Sequence, residues 1–356
     1  MRISVVASEV PHPQGTAAGR DLWAWCEGVR ALGHDLDAWL WRIPASSPKV
    51  VIPEWCRYEP VDIGALWRAH LRGLIRPRHD AALARWEPAP DAVAVADHIC
   101  SFAATAPFPR SVATFHFRAI ADALAVRRIG LAQVQTARAE WSAGRRASLV
   151  LAYSERVGRS VGERARFVPI AYDIPSEPVA PVEAPVAALI ADWSWAPNRR
   201  ALSWLLAAWS EVHDALPQAR LLLAGRWLNR MKVGTIPGVF PIGRVALSSD
   251  VLSQAAVVAF PCPTSSGPKV KVLEALAYSI PVVTTAAGIE GIVLPDGAGA
   301  VVVSRGEFPH ALTKLLVDPE RRATLGAAGR QSVAIHHSPV AAARARIDAF
   351  AEEFGI

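Results

Sequence analysis

No stretch of this chain limits its fold more tightly than the run from Val257 to Thr285. Val257-Val-Ala-Phe-Pro261 is an apolar run of strand length. Ser265, Ser266 and Gly267 follow as a small, polar turn. Val270, Leu273, Leu276 and Ala277 then recur at threes and fours, the spacing of one helix face. Ser279 and Pro281 end that helix, and Val282 to Thr285 begins another strand. Strand, turn, helix and strand in this compass form a βαβ unit, which belongs to a parallel sheet.

The turn is where chemistry is expected. A helix N-terminus presents unpaired N–H groups and the positive end of the macrodipole, so it suits an anion. Ser265, Ser266 and Gly267 let a backbone come close. Lys269 and Lys271 place two cations in the first turn, where they are unfavourable unless an anion compensates. That conflict points to a phosphate or diphosphate, against the plainer reading of a solvated lysine face. Glu274, about a turn further in, can accept from a sugar or ribose hydroxyl. The plainer reading is a helix carboxylate, and Lys271 three residues before it rules out a capping box.

Gly267-x-x-x-Lys271-Val-Leu-Glu274-Ala-Leu-Ala-x-x-x-Pro281-Val-Val-x-Thr285-x-x-x-x-Glu290-Gly291 closely resembles the nucleotide-sugar motif of retaining glycosyltransferases of family 4. The resemblance implies the GT-B fold: an α/β protein of two Rossmann-like domains facing across a cleft, with a C-terminal helix crossing back to the first. It implies that Lys271 contacts the donor diphosphate, assisted by Ser266, Gly267 and Lys269. Glu274 would hold the ribose, and backbone N–H groups around Gly288, Glu290 and Gly291 the phosphates or the sugar. Gly243 falls where the family's backbone meets the base. The family commonly has an E-x7-E pair, and Ser266 stands where its first Glu would be. Asp192 and Asn198 stand where members often place an Arg and a Lys on the diphosphate, so Arg199 is the expected substitute.

Earlier in the chain, Ile3 to Ser8 reads as a buried strand and a helix runs from about Gly19 to a glycine cap at Gly33. Gly15-x-x-x-Gly19 is not a dinucleotide fingerprint. The resemblance places Gly15 and Thr16 near the donor, although a flexible βα loop explains them as well. Strands over 91–97 and 111–115 end in Asp97-His98 and Phe115-His116-Phe117-Arg118, and ligands of open parallel sheets gather at such ends. Val112-Ala-Thr-Phe-His116 is similar to the segment carrying the family's active-site histidine. His116 is therefore the expected catalytic histidine, working with Lys271, while His98 and Arg118 are candidate acceptor contacts. A lone histidine is otherwise an ordinary polar residue.

The expected organisation is a first domain over 1–173 for the acceptor, a proline-rich linker over 174–185, a nucleotide-sugar domain over 186–338 and a final helix over 339–356. The net charge of +6 lies mostly in the first half, at +5 for 1–173 against +1 thereafter, which points to an anionic partner there. Residues 63–78 read as a basic amphipathic helix. Its apolar side suits either the core or a membrane surface, and the core is the expected place.

Asp35-Leu-Asp37 mimics a metal-binding D-x-D but sits inside a strand, so no metal is expected. The four cysteines show no zinc spacing or disulfide framework. With no signal peptide or spanning segment, the chain reads as cytoplasmic, with contact at the inner membrane face left open. The expected activity is transfer of a hexose from a UDP-, GDP- or dTDP-sugar, without other cofactors, to a saccharide, lipid-linked or natural-product acceptor, as in cell-envelope polysaccharide synthesis. The alternatives are a sugar-nucleotide epimerase and a catalytically silent nucleotide-binding protein. Nucleic-acid binding lacks any motif.

Overall fold

The computed structural model describes residues 1–43, 51–60, 86–118, 130–231, 233, 236–264 and 267–356. The basic segment 63–78 and Ser266 lie outside them. The described chain divides into two compact units, Met1–Asp173 with His337–Ile356, and Ile174–His336.

The first unit carries strands β1 (Arg2–Ala7), β2 (Asp35–Leu40), β3 (Cys56–Tyr58), β4 (Val93–Ala96), β5 (Ser111–Phe115), β6 (Leu149–Ala152) and β7 (Ala165–Phe167). They form a wholly parallel sheet in the order β3-β2-β1-β4-β5-β6-β7. The central strands are buried throughout, as a sheet covered on both faces requires. The helices between them are α1 (Ala17–Ala31), the single turn α2 (Phe102–Thr105), α3 (Leu131–Arg146) and α4 (Glu155–Val161). Thr16 caps α1 by accepting from Gly19 N at 3.1 Å, and Ser154 caps α4 by accepting from Val157 N at 3.1 Å. Gly33, at φ +78°, closes α1 in a conformation that favours glycine.

Asp35 and Asp37 lie on β2, in register with Arg2 and Ser4 of β1. Asp37 accepts from Ser4 Oγ at 2.5 Å, so the D-x-D is part of a strand. β3 and β7 went unread in the sequence because each is a three-residue edge strand with mostly exposed or half-exposed side chains.

The second unit repeats the plan. Its strands β8 (Val186–Ile190), β9 (Arg220–Ala224), β10 (Val239–Gly243), β11 (Val257–Phe260), β12 (Val282–Thr284) and β13 (Ala300–Val302) pair in parallel in the order β10-β9-β8-β11-β12-β13. Helices α5 (Ala196–Ala215), α6 (Ser249–Leu252), α7 (Val270–Ala277), α8 (Phe308–Leu316) and α9 (Pro319–His336) flank them. α7 buries Val272, Leu273, Ala275, Leu276 and Ala277. Ser279, at φ +63°, turns the chain out of α7 into β12. α5 starts at Ala196, because Pro197 fits a first helical turn.

The last helix, α10 (Pro339–Phe354), belongs to the first unit and packs on α1. A Cβ on Gly28 of α1 would lie 1.9 Å from the Pro339 carbonyl oxygen, so the two helices meet where only glycine fits. α10 is anchored by Arg346, which is 1% exposed. Its guanidinium donates to Tyr153 Oη at 2.9 Å and Pro169 O at 3.0 Å and lies 3.6 Å from the Asp21 carboxylate. Asp21 also accepts from Ala171 N at 2.6 Å and from the Tyr153 hydroxyl.

Candidate active site

In both sheets the strand order reverses beside the first strand, between β1 and β4 and between β8 and β11. The carboxyl ends of strands at such a reversal open a crevice for ligands. The candidate residues fall at these two edges.

In the second unit, Lys269 is the N-cap residue of α7 and Lys271 lies in its first turn. Lys269 Nζ donates to Gly267 O at 2.6 Å, with Gly267 at φ +142°, a glycine conformation. Lys271 Nζ sits 4.3 Å from the centroid of the Phe260 ring at the end of β11 and donates to Asn198 Oδ1 at 2.8 Å. Asn198 in turn donates through Nδ2 to Asp192 O, beyond the end of β8, at 2.8 Å. One buried amide thus ties the ammonium to both sides of the crevice. Burial, and then the charge of Lys269, bring the Lys271 ammonium down to about 8. The site holds two crowded cations on a positive helix end, which an anion would relieve.

Glu274 is 7% exposed and accepts from Ser248 Oγ at 2.5 Å. Gly243 ends β10 at φ +87°, after a register shift from Pro241. The Thr285–Gly291 segment is fixed by Thr285 Oγ1 donating to Cys262 O and Thr284 Oγ1 donating to Phe260 O, each at 2.6 Å. Gly288 allows this path, because a Cβ there would lie 1.9 Å from Thr284 Oγ1. Glu290 is half-buried, and Gly291 takes φ +76°. Arg199 is engaged by backbone carbonyls. Its guanidinium donates to the Trp193 and Ser194 carbonyls, so it braces the loop ahead of α5.

In the first unit, His116 follows β5 and its Nε2 lies 2.6 Å from Asp97 O. A carbonyl only accepts, so Nε2 carries the proton and Nδ1 keeps its lone pair. Its ring centroid is 4.6 Å from that of Tyr153 and 5.4 Å from that of His98. Burial, reinforced by Arg42 for His98 and by His98 for His116, brings both imidazoles down to about 4. Both are neutral at neutral pH. His98 Nδ1 accepts from Cys100 N at 3.3 Å. Thr16 Oγ1, besides capping α1, donates to Glu9 Oε2 at 2.9 Å. Gly15 N donates to His12 O at 3.0 Å within the same loop. The Arg118 guanidinium pairs with the buried Glu140 carboxylate at 2.8 Å and donates to Ser160 O at 2.6 Å. It joins α3 to α4.

Sequence reasoning passed over Asn198 as a ligand of Lys271, Ser248, and the buried acids beneath His116. Asp97 and Asp21 are each 1% exposed. With His116 they bring ligand-type atoms within 4.8 Å of one another, a spacing a metal ion could use. Arg346 already supplies the positive charge there. Neither Asp97 oxygen meets hydrogen-bond geometry, although the Trp25 indole lies near. Burial, and then the Asp21 charge, push the Asp97 carboxyl well above the usual range.

The raised folded-state value means the native chain holds a proton that the unfolded chain releases. Stability is therefore lost as pH rises from the unfolded value, about 3.9, through the folded one. Asp97→Asn is expected to raise the melting temperature, and by more at pH 9 than at pH 5. Calorimetric melts across that range check it, and a pH-independent difference would contradict it.

Comparison with known proteins adds independent findings. Residues 184–318 match the family model described as glycosyl transferases group 1. In overall fold the chain is similar to a mutant of S. aureus TarM, solved with fondaparinux, alpha-GlcNAc-glycerol and UDP. The TM-score is 0.75 at 8% identity, covering 98% of this chain and 99% of that one. It is also similar to sucrose-phosphate synthase from Thermosynechococcus elongatus, with a TM-score of 0.73 at 16% identity, covering 100% of this chain and 99% of that one. Anabaena HepE in complex with UDP gives a TM-score of 0.69 at 15% identity, covering 99% and 100%.

The chain has the GT-B glycosyltransferase fold. Its second unit contains the group 1 glycosyltransferase match, and that match includes Asn198, Gly243, Lys271, Glu274 and Gly291. A search of curated protein sequences found no significant match.

Proposed function

We propose that this chain is a retaining glycosyltransferase that moves a sugar from a nucleoside-diphosphate sugar to a hydroxyl-bearing acceptor. One observation carries the reading: Lys271, in the first turn of α7, is held by Asn198 at the β8–β11 reversal. A pyrophosphate meets there the positive end of the α7 dipole and two ammonium ions. Glu274, oriented by Ser248, takes the ribose hydroxyls. The backbone from Ala287 to Gly291 faces the phosphates or the sugar. The comparisons support the donor class, since TarM and HepE were solved with UDP.

The barrier is departure of an oxocarbenium-like sugar from a diphosphate that gains negative charge. Lys271 and the α7 end stabilise that charge as it develops, and a donor of this kind is worth about 3 kcal/mol. The acceptor hydroxyl attacks from the leaving-group face, and its proton passes to the departing phosphate. The anomeric configuration is thereby kept, and positive charge comes from the chain's own residues without a metal step. Neutral His116, whose Nδ1 can accept from a hydroxyl, acts neither as nucleophile nor as charged acid. The acceptors we favour are saccharides or lipid-linked saccharides.

Incubation with pooled UDP-, GDP- and dTDP-sugars, with and without saccharide and lipid acceptors, tests this. Nucleoside diphosphate should be released, faster with the right acceptor, and the product should keep the donor's anomeric configuration. Tight nucleotide binding without release from any donor would favour a catalytically silent protein instead.

A further inference from the structure

The solvent face of α3 is patterned. Val134, Arg138, Trp141 and Arg145 recur at four, three and four, so they form one stripe along the helix. Trp141 is 65% exposed and Val134 39%. Trp141 is thus more exposed than any other tryptophan among the described residues, and Arg138, Arg145 and Arg146 are exposed around it. The Arg145 guanidinium lies over the Trp141 ring, 5.1 Å from its centroid. The helix has one carboxylate, Glu140, which is 3% exposed and already neutralised by Arg118. The face is therefore cationic with an aromatic at its centre.

Just past its C-terminal end, a concavity of about 360 Å³ is lined by Arg145, Gly162, Glu163 and Arg164, among others. Its walls set two guanidiniums against one carboxylate. The neighbouring helix α4 adds Arg156 and an exposed Glu155–Arg159 pair at 3.6 Å.

We propose that this face docks the protein on an anionic membrane surface. Trp141 enters the headgroup layer, where an amphipathic ring is favoured, and the arginines lie on lipid phosphates. One phosphate sits in the concavity between Arg145 and Arg164. A cationic face around a single aromatic anchor suits a headgroup layer better than a protein partner, whose contact centre needs several buried anchors. Single-stranded nucleic acid would need open aromatic faces for stacking, and Arg145 lies over one face of Trp141. This surface shares no residue with the proposed donor site, so it is tested without nucleotide.

The test is flotation of the full chain with vesicles of phosphatidylcholine alone or mixed equally with phosphatidylglycerol. Wild type should float with the mixed vesicles only, and high salt should release it. Arg138→Glu combined with Arg145→Glu should weaken binding by about tenfold or more. Trp141→Ala should weaken it while removing the quenching that brominated lipid imposes on wild-type fluorescence. All three positions are exposed, so these variants should melt with wild type. Arg138→Gln with Arg145→Gln serves if the charge reversal does not fold. The proposal fails if wild type does not float, if the arginine variants float equally well, or if free glycerol phosphate displaces the protein at concentrations comparable with lipid phosphate.

Discussion

Lys271→Ala is expected to lower nucleoside-diphosphate release by about a hundredfold to a thousandfold, the usual cost of removing one positioned donor to developing charge. The loss should appear in kcat as well as in KM, because the ammonium meets more negative charge in the transition state than in the bound donor. Lys271→Arg should recover little. The Asn198 amide places a single ammonium at 2.8 Å, and a planar guanidinium has a different reach and donor geometry. Steady-state release assays on both variants, with melting curves to confirm folding, measure this. Equal turnover in Lys271→Ala and wild type would remove the diphosphate role from α7.

Asp21→Ala should destabilise the first unit by about 3–5 kcal/mol, since it strands the buried Arg346 charge. Asp21 takes three partners from three parts of that unit: Arg346 of α10, Tyr153 after β6 and Ala171 N. Its loss should free α10 as well as weaken the core. Asp21→Asn keeps an acceptor for Ala171 N or Tyr153 and should lose less. Urea unfolding followed by hydrogen exchange distinguishes the outcomes. Early exchange of α10 amides in Asp21→Ala is the expected pattern, and wild-type protection there would contradict it.

The parts of this protein that were plain in its sequence are those where one local rule dominates. The apolar period of α7, the glycine at 33 and the apolar runs of β4, β5 and β11 each fix an element without help from elsewhere. β3 and β7 were not legible, because a three-residue edge strand draws its hydrogen bonds from a neighbour and shows no period of its own. The site follows the same division. Lys269 and Lys271 stand out because cations at a helix start violate a local preference, and Glu274 stands out through the motif that contains it.

Asn198, Ser248, Asp21 and Asp97 act through partners distant in sequence, as Lys271 lies 73 positions after Asn198, and no local pattern marks those pairings. Arg118 and Arg199 show the converse. Each sits beside a candidate residue in the chain, yet a neighbouring carboxylate or carbonyl claims its guanidinium. Proximity in sequence says little about where a long side chain ends.

The central claim is that a crowded, partly deprotonatable ammonium awaits a diphosphate. Calorimetric titration of UDP and GDP into the wild-type protein from pH 6.5 to 9.5 tests it most directly. Free Lys271 titrates near 8, and a bound diphosphate should raise that value. Binding is therefore predicted to be strongest below pH 8 and to weaken as pH rises through it, with proton uptake on binding near pH 8. The slope should vanish in Lys271→Arg, which stays charged across this range. Absence of binding by either nucleotide, or an affinity unchanged across pH 8, would contradict the account.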